Sequence, residues 1–140
     1  MKNFDFRLQK VLEYREMLEK WAKDTYLDAR AARLEAEVAL TGINIQRDQL
    51  LEETAVDSIE DMQTIDLRLN LLDTKALHQN TIIQVFRAEE AQAMEVWTEK
   101  KHELEALSKL RDKSYAEWEK EMGRQEQLAL DEWTNHRRAA

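Results

Sequence analysis

The chain has 140 residues, no cysteine, no proline and only two glycines, Gly42 and Gly123. The lack of cysteine excludes disulfides and thiolate metal sites. A net charge of −8, from 21 Lys and Arg against 29 Asp and Glu, disfavours nonspecific nucleic-acid binding, which needs clustered cations to neutralise phosphate.

Charged residues make up 36% of the chain and hydrophobic ones 43%, with almost nothing to break a helix. That is the composition of long helices and coiled coils. Four Trp and three Phe, with regularly spaced leucines, argue against disorder. The opening Met1-Lys2-Asn3-Phe4-Asp5-Phe6-Arg7 lacks the apolar core of a secretory signal. No stretch approaches the roughly 18 apolar residues of a membrane span. The expected location is the cytosol.

From Leu8, apolar residues recur at spacings of three and four. Leu8, Val11, Leu18, Ala22, Ala29, Ala32, Ala36, Ala39 and Ile43 follow a heptad seam, with Arg15 and Thr25 as polar interruptions. Leu12, Trp21, Tyr26 and Leu40 flank and widen the stripe. The pattern predicts a first helix over about 4–52, capped by Asn3 or Asp5. Alanines in its middle allow close approach of a partner helix while burying little area each.

The pattern lapses over 53–58, where a turn is expected. Asp57 or Ser58, followed by Glu60 and Asp61, offers an N-cap for a second helix. A second seam follows at Met62, Ile65, Leu69, Leu72, Ala76, Ile83, Phe86, Ala93, Trp97, Leu104 and Leu107, with Gln79 and Glu90 as polar steps. It predicts a helix over about 59–134, a soft point at Gly123 and a frayed C-terminus.

The expected fold is therefore all-α and a single domain over 1–140. Two long helices form an antiparallel coiled-coil hairpin, the second longer than the first. Pairing about residue 57 would set Leu8 opposite position 106. At about 1.5 Å per residue the arms would measure about 70 and about 110 Å. The excess, over 112–135, carries Tyr115, Trp118, Met122, Leu128 and Trp133, and a lone helix exposing such residues has a reason to bind something.

Catalytic and metal chemistry find no footing in this pattern. His78, His102 and His136 are too far apart to pair on a helix, and Glu99-x-x-His102 is a single Glu-x-x-His step. Di-iron carboxylate bundles need two such steps. Two isolated glycines form no phosphate loop, and a two-helix hairpin offers no pocket for a nucleophilic triad. The expected protein is not an enzyme and holds neither cofactor nor metal. The tryptophans lack the basic groove of a base-stacking set. Arg137 and Arg138 complement a helix C-terminus.

The two ends of the chain carry a resemblance. The opening Phe4-x-Phe6-Arg7-Leu8-Gln9-Lys10-Val11-Leu12-x-x-Arg15 is similar to that of the flagellar FliJ family. So is the close, in which Leu107-x-Lys109-Leu110 is followed by Glu121, Gln125-Glu126-Gln127 and Asp131-Glu132. The central stretch matches in length and heptad character only.

The resemblance implies a soluble stalk of the flagellar type III export apparatus, resembling the rotor stalk of rotary ATPases. In that family the end bearing both termini sits within the hexameric export ATPase and promotes its assembly and activity. The family also links the ATPase to the cytoplasmic domain of the export gate, and some members escort unloaded export chaperones. The implied location is cytoplasmic, peripheral to the inner membrane at the flagellar base, and the chain alone would be a monomer. On this reading Phe4, Phe6, Leu8, Trp118, Glu126, Asp131 and Glu132 lie at the ATPase-facing end. Leu67 and Leu71, off the main seam of the second helix, are candidates for gate contact. The rivals are an equivalent stalk of an injectisome and a generic coiled-coil scaffold.

Overall fold

The computed structural model describes residues 3–53 and 55–139. Among these residues the regular elements are two helices, α1 (Gln9–Glu53) and α2 (Ile59–Ala139). The fold is all-α, and the longer α2 packs against α1 as a hairpin.

The start of α2 follows from its cap. The Asp61 N–H donates to Ser58 Oγ at 3.2 Å, and the Asp61 carboxylate accepts from the Asp57 N–H at 3.4 Å. Ser58 is thus the N-cap, satisfying a backbone donor that has no partner within the helix. Glu60 and Asp61 in the first turn and His136, Arg137 and Arg138 in the last suit the helix dipole at both ends. The helix runs on to Ala139, beyond the expected end near 134. The Arg137 guanidinium over the Trp133 ring, 5.2 Å from its centroid, adds a cation–π contact one turn from that end.

The first helix begins later than its heptad pattern predicts. Neither Asn3 nor Asp5 is a cap, because residues 3–6 are not helical. Burial alternates there: Phe4, Phe6 and Leu8 are turned inward and Asp5 and Arg7 outward. That is the period of extended chain, which puts every second residue on one side. The Gln9 N–H then donates to the Phe6 carbonyl at 3.0 Å and the Leu12 N–H to the Leu8 carbonyl at 2.9 Å, closing the first turns.

Packing divides the chain into two compact units, Met1–Lys20 with Thr98–Ala140, and Trp21–Trp97. In each, a stretch of α1 runs antiparallel to a stretch of α2. In the terminal unit Gln9 meets Arg111 and Arg15 meets Glu103. In the central unit Arg33 meets Glu90 and Arg47 meets Asp73. The buried side chains are Phe6 and Leu12 in the first, and Ala22, Ala36, Ile83 and Ala93 in the second.

Along α2 the inward positions repeat every seven residues, at 65, 69, 72, 76, 79, 83, 86, 90, 93 and 97, and on through 104, 107, 111, 114 and 118. Met62, expected to open this seam, is exposed. On α1 the seam differs from the expected one by single positions. Val11 is 41% exposed and Leu12 only 5%. Tyr26 is turned inward in place of Thr25, and Leu40 in place of Ala39. At these steps the larger apolar side chain takes the seam, since it removes more apolar area from water, whereas Arg33 stands in place of Ala32 and pairs with Glu90.

Polar seam residues find partners across the interface. Arg33 is hydrogen-bonded to Glu90, and the Gln79 amide donates to the Ala36 carbonyl at 2.9 Å. Such polar entries in a seam favour one register over its neighbours. Tyr26 stacks on Trp97 with ring centroids 5.3 Å apart.

Candidate protein-docking surfaces

In the terminal unit the extended arm sets Phe4 against α2. Its ring lies 5.2 Å from Tyr115 in an edge-on contact and 5.8 Å from Trp118. Tyr115 and Trp118 are themselves 5.7 Å apart. The Arg111 guanidinium covers the Phe4 ring at 5.8 Å, while its Nε donates to Gln9 Oε1 at 3.3 Å. Such aromatic contacts add to the area the rings bury. Phe6, 7% exposed, anchors the arm one step further along. Phe4, Phe6, Leu8 and Trp118 line one cavity of about 500 Å³ with Leu110 and Ser114.

This arrangement corrects the expected register. Leu8 lies by Leu110 and Ser114 rather than opposite position 106. Tyr115 and Trp118, expected in a lone overshoot, are partnered by Phe4. The shift is already present between the helices: Gln9 meets Arg111 in the terminal unit and Arg47 meets Asp73 in the central one, so both pair about a centre later than residue 57. Tyr115 and Arg111 were not among the expected site residues. The signal for Arg111 was present, since Arg111 and Ser114 continue the seven-residue repeat from Leu104 and Leu107, whereas Tyr115 stands beside that repeat.

Beyond Met122 every described residue of α2 is exposed. The seam positions there turn polar, with Gln125 and Glu132 on either side of Leu128. Leu128, Leu130 and Trp133 remain in water, Trp133 at 60% exposure. Glu126, Asp131 and Glu132 are exposed on this stretch, outside the aromatic cavity. Local pairs dress it: Arg124 Nη2 lies 2.7 Å from Glu121 Oε1, and the Gln127 amide donates to Asp131 at 3.2 Å. The hydrogen bond from Arg124 holds the Glu121 carboxyl below its usual range.

The expected gate contacts lie in the other unit. Leu67 and Leu71 are both exposed near the start of α2. Arg33, Glu37, Glu90 and Arg87 form an ion-pair cluster across the central seam. Hydrogen bonds from Arg87 and then Arg33 lower the Glu37 carboxyl. Donating to Glu90 and then to Glu37 raises the Arg33 guanidinium.

His102 lies 3.9 Å from Glu105, and both are exposed. Among the described residues no group of His, Asp and Glu is assembled that could hold a metal. No helix among them is long and apolar enough to cross a membrane.

A family model described as the flagellar FliJ protein matches residues 4–139. No curated protein and no solved structure matches the chain. The match takes in the arm with Phe4 and Phe6, both helices and the exposed stretch to Ala139. The chain therefore belongs to the flagellar FliJ family and is a component of the flagellar type III export apparatus.

Proposed function

We propose that the chain is a non-catalytic stalk that binds the hexameric flagellar export ATPase through the unit bearing its termini, and promotes assembly and activity of that ring. The observation that carries this reading is the stretch beyond Met122, where Leu128, Leu130 and Trp133 are exposed on a helix without a packing partner among the described residues. Large apolar side chains left in water on a single helix favour insertion into a complementary surface. Glu126, Asp131 and Glu132 on the same stretch supply charge for orienting that contact. Phe4, Phe6, Leu8 and Trp118 form the base from which the helix projects.

The same reading assigns the export gate's cytoplasmic domain to the other unit, at Leu67 and Leu71. It also makes the chain a monomer by itself, at work in the cytoplasm beside the inner membrane at the flagellar base, and an escort for unloaded export chaperones.

Co-purification with the flagellar export ATPase, followed by its hydrolysis rate, tests the main assignment. Complex formation and a faster rate are expected. An elongated monomer that leaves the rate unchanged would sink it. Leu67→Asp with Leu71→Asp is expected to lose the gate domain in a pull-down while still binding the ATPase. Undiminished capture counts against the gate contact.

A further inference from the structure

The two flanks of the central unit's seam are chemically unlike each other. With seam positions labelled a (Tyr26, Arg33, Leu40; Ile83, Glu90, Trp97) and d (Ala22, Ala29, Ala36; Phe86, Ala93), the e positions on one flank hold Lys23, Arg30 and Glu37 of α1 and Arg87 and Met94 of α2. That is the charged border of an ordinary two-stranded coil. The opposite flank, formed by the g positions, holds Thr25, Ala32 and Ala39 of α1 and Ile82, Glu89 and Val96 of α2. Apart from the paired Arg33 and Glu90 and the exposed Glu89, the a, d and g positions of both helices are therefore uncharged here. A two-helix seam needs only a and d, and the wider stripe belongs to a helix that meets more than one neighbour.

The structure has a groove on that wider flank. Ala22 of α1 and Ala93 of α2 are small enough to leave a largely apolar cavity of about 470 Å³, bordered by Thr25, Ala88, Glu89, Gln92 and Val96. Trp21 and Val85, on the same flank by helical spacing, are exposed. The charges here are of one sign. Asp28, Glu35 and Glu89 are exposed at the c and g positions, and no Lys or Arg occupies a c or g position between 21 and 39 or between 82 and 97.

We propose that this groove is a docking site for one further helix, supplied by a partner protein, with apolar residues at coiled-coil spacing and Lys or Arg along its flanks. The hairpin then supplies two helices of a three-helix bundle. The charge selects the occupant. A second copy of this chain packed symmetrically through the same groove would set Asp28, Glu35 and Glu89 against themselves. A basic helix meets opposite charge along both rims. The site lies within Trp21–Trp97 and does not depend on the ATPase assignment of the terminal unit.

The test uses the full chain and two synthetic helices of about 20 residues, with the same leucine seam but Lys on the flanks of one and Glu on the flanks of the other. Calorimetric titration is expected to show the Lys-flanked helix binding at least about tenfold more tightly, with the preference shrinking as salt rises. The triple variant Asp28→Lys, Glu35→Lys, Glu89→Lys changes only exposed positions and is expected to reverse the preference. That reversal also shows the variant is folded. Ala88→Arg is expected to weaken both helices by projecting into the groove.

Equal binding of the two helices by the native chain would overturn the proposal. So would binding that the triple variant leaves unchanged, or absence of binding to either helix. A dimer of the chain in sedimentation that Ala88→Arg dissolves would assign the groove to a second copy instead and would equally overturn it.

Discussion

The terminal and central units solve the same packing problem with different side chains. The terminal unit closes on aromatics: Phe4 against Tyr115 and Trp118, with Phe6 buried beside them. The central unit closes mainly on small residues, with Ala22, Ala36 and Ala93 buried beside Ile83, one aromatic stack of Tyr26 on Trp97, and ion pairs from Arg33 and Glu37 holding the register. Small residues let helices approach closely but bury little area each, so polar pairing carries more of the specificity there. The difference teaches that one seven-residue pattern can conceal a hydrophobic clasp at one place and an electrostatically registered seam at another.

The largest expected effects break each unit separately. Ile83→Ala, at a side chain only 3% exposed, is expected to cost about 2–5 kcal/mol, read as a lower urea midpoint with amide exchange accelerated within 21–97. Phe6→Ala is expected to cost about 3 kcal/mol and to act on the arm. Trp118 emission should shift to the red as Phe4 leaves it, with exchange in 21–97 unchanged. Faster exchange throughout the chain in both variants would show that the units are not distinct in stability.

Acid should sharpen the contrast. Glu37 is held below its ordinary value of 4.5 by Arg87 and Arg33. Its contribution is therefore fully present above that value and is lost as pH falls through the lowered one, because the unfolded chain then binds the proton first. Amide protection within 21–97, taken relative to the unstructured rate at each pH, is expected to fall on acidification below 4.5. Glu37→Gln, which has no charge to lose, should show less of that fall. An identical acid response in native chain and variant would remove Glu37 from the account.

The smallest effect concerns the exposed end of α2. Gly123 sits in helix with nothing within 4 Å of an added Cβ and no positive φ. Gly123→Ala is expected to stabilise the local helix by about 1 kcal/mol, seen as slower amide exchange near 123 without change in the aromatic clasp. Faster exchange there would mean that the glycine serves a bend the helix needs.

Much of this was legible in the sequence because the hairpin is carried by period and caps. Ser58 with Asp61, and the repeat from Ile65 to Leu107, locate α2 directly. On α1 the stripe was legible but not its centre, since Val11 and Leu12, or Ala39 and Leu40, satisfy the same spacing and only packing decides between them. The arm was misread because Phe4, Phe6 and Leu8 are apolar at a period of two while standing directly before a helical period. The register was missed separately, because no glycine or proline in 53–58 marks the centre of the turn, and that gave Tyr115 and Trp118 to the overshoot. The exposed residues beyond Met122 were legible as residues with no seam to enter. What covers them was not, because a docking partner leaves no periodicity in the chain that binds it.

The most direct measurement is the hydrolysis rate of the flagellar export ATPase with the full chain and with a chain ending at Met122. That truncation removes Leu128, Leu130 and Trp133 and retains Phe4, Tyr115 and Trp118 with their contacts. The account predicts that the truncated chain keeps its helical hairpin by circular dichroism and no longer raises the rate. Full stimulation by the truncated chain would contradict the placement of ATPase binding on the exposed end of α2.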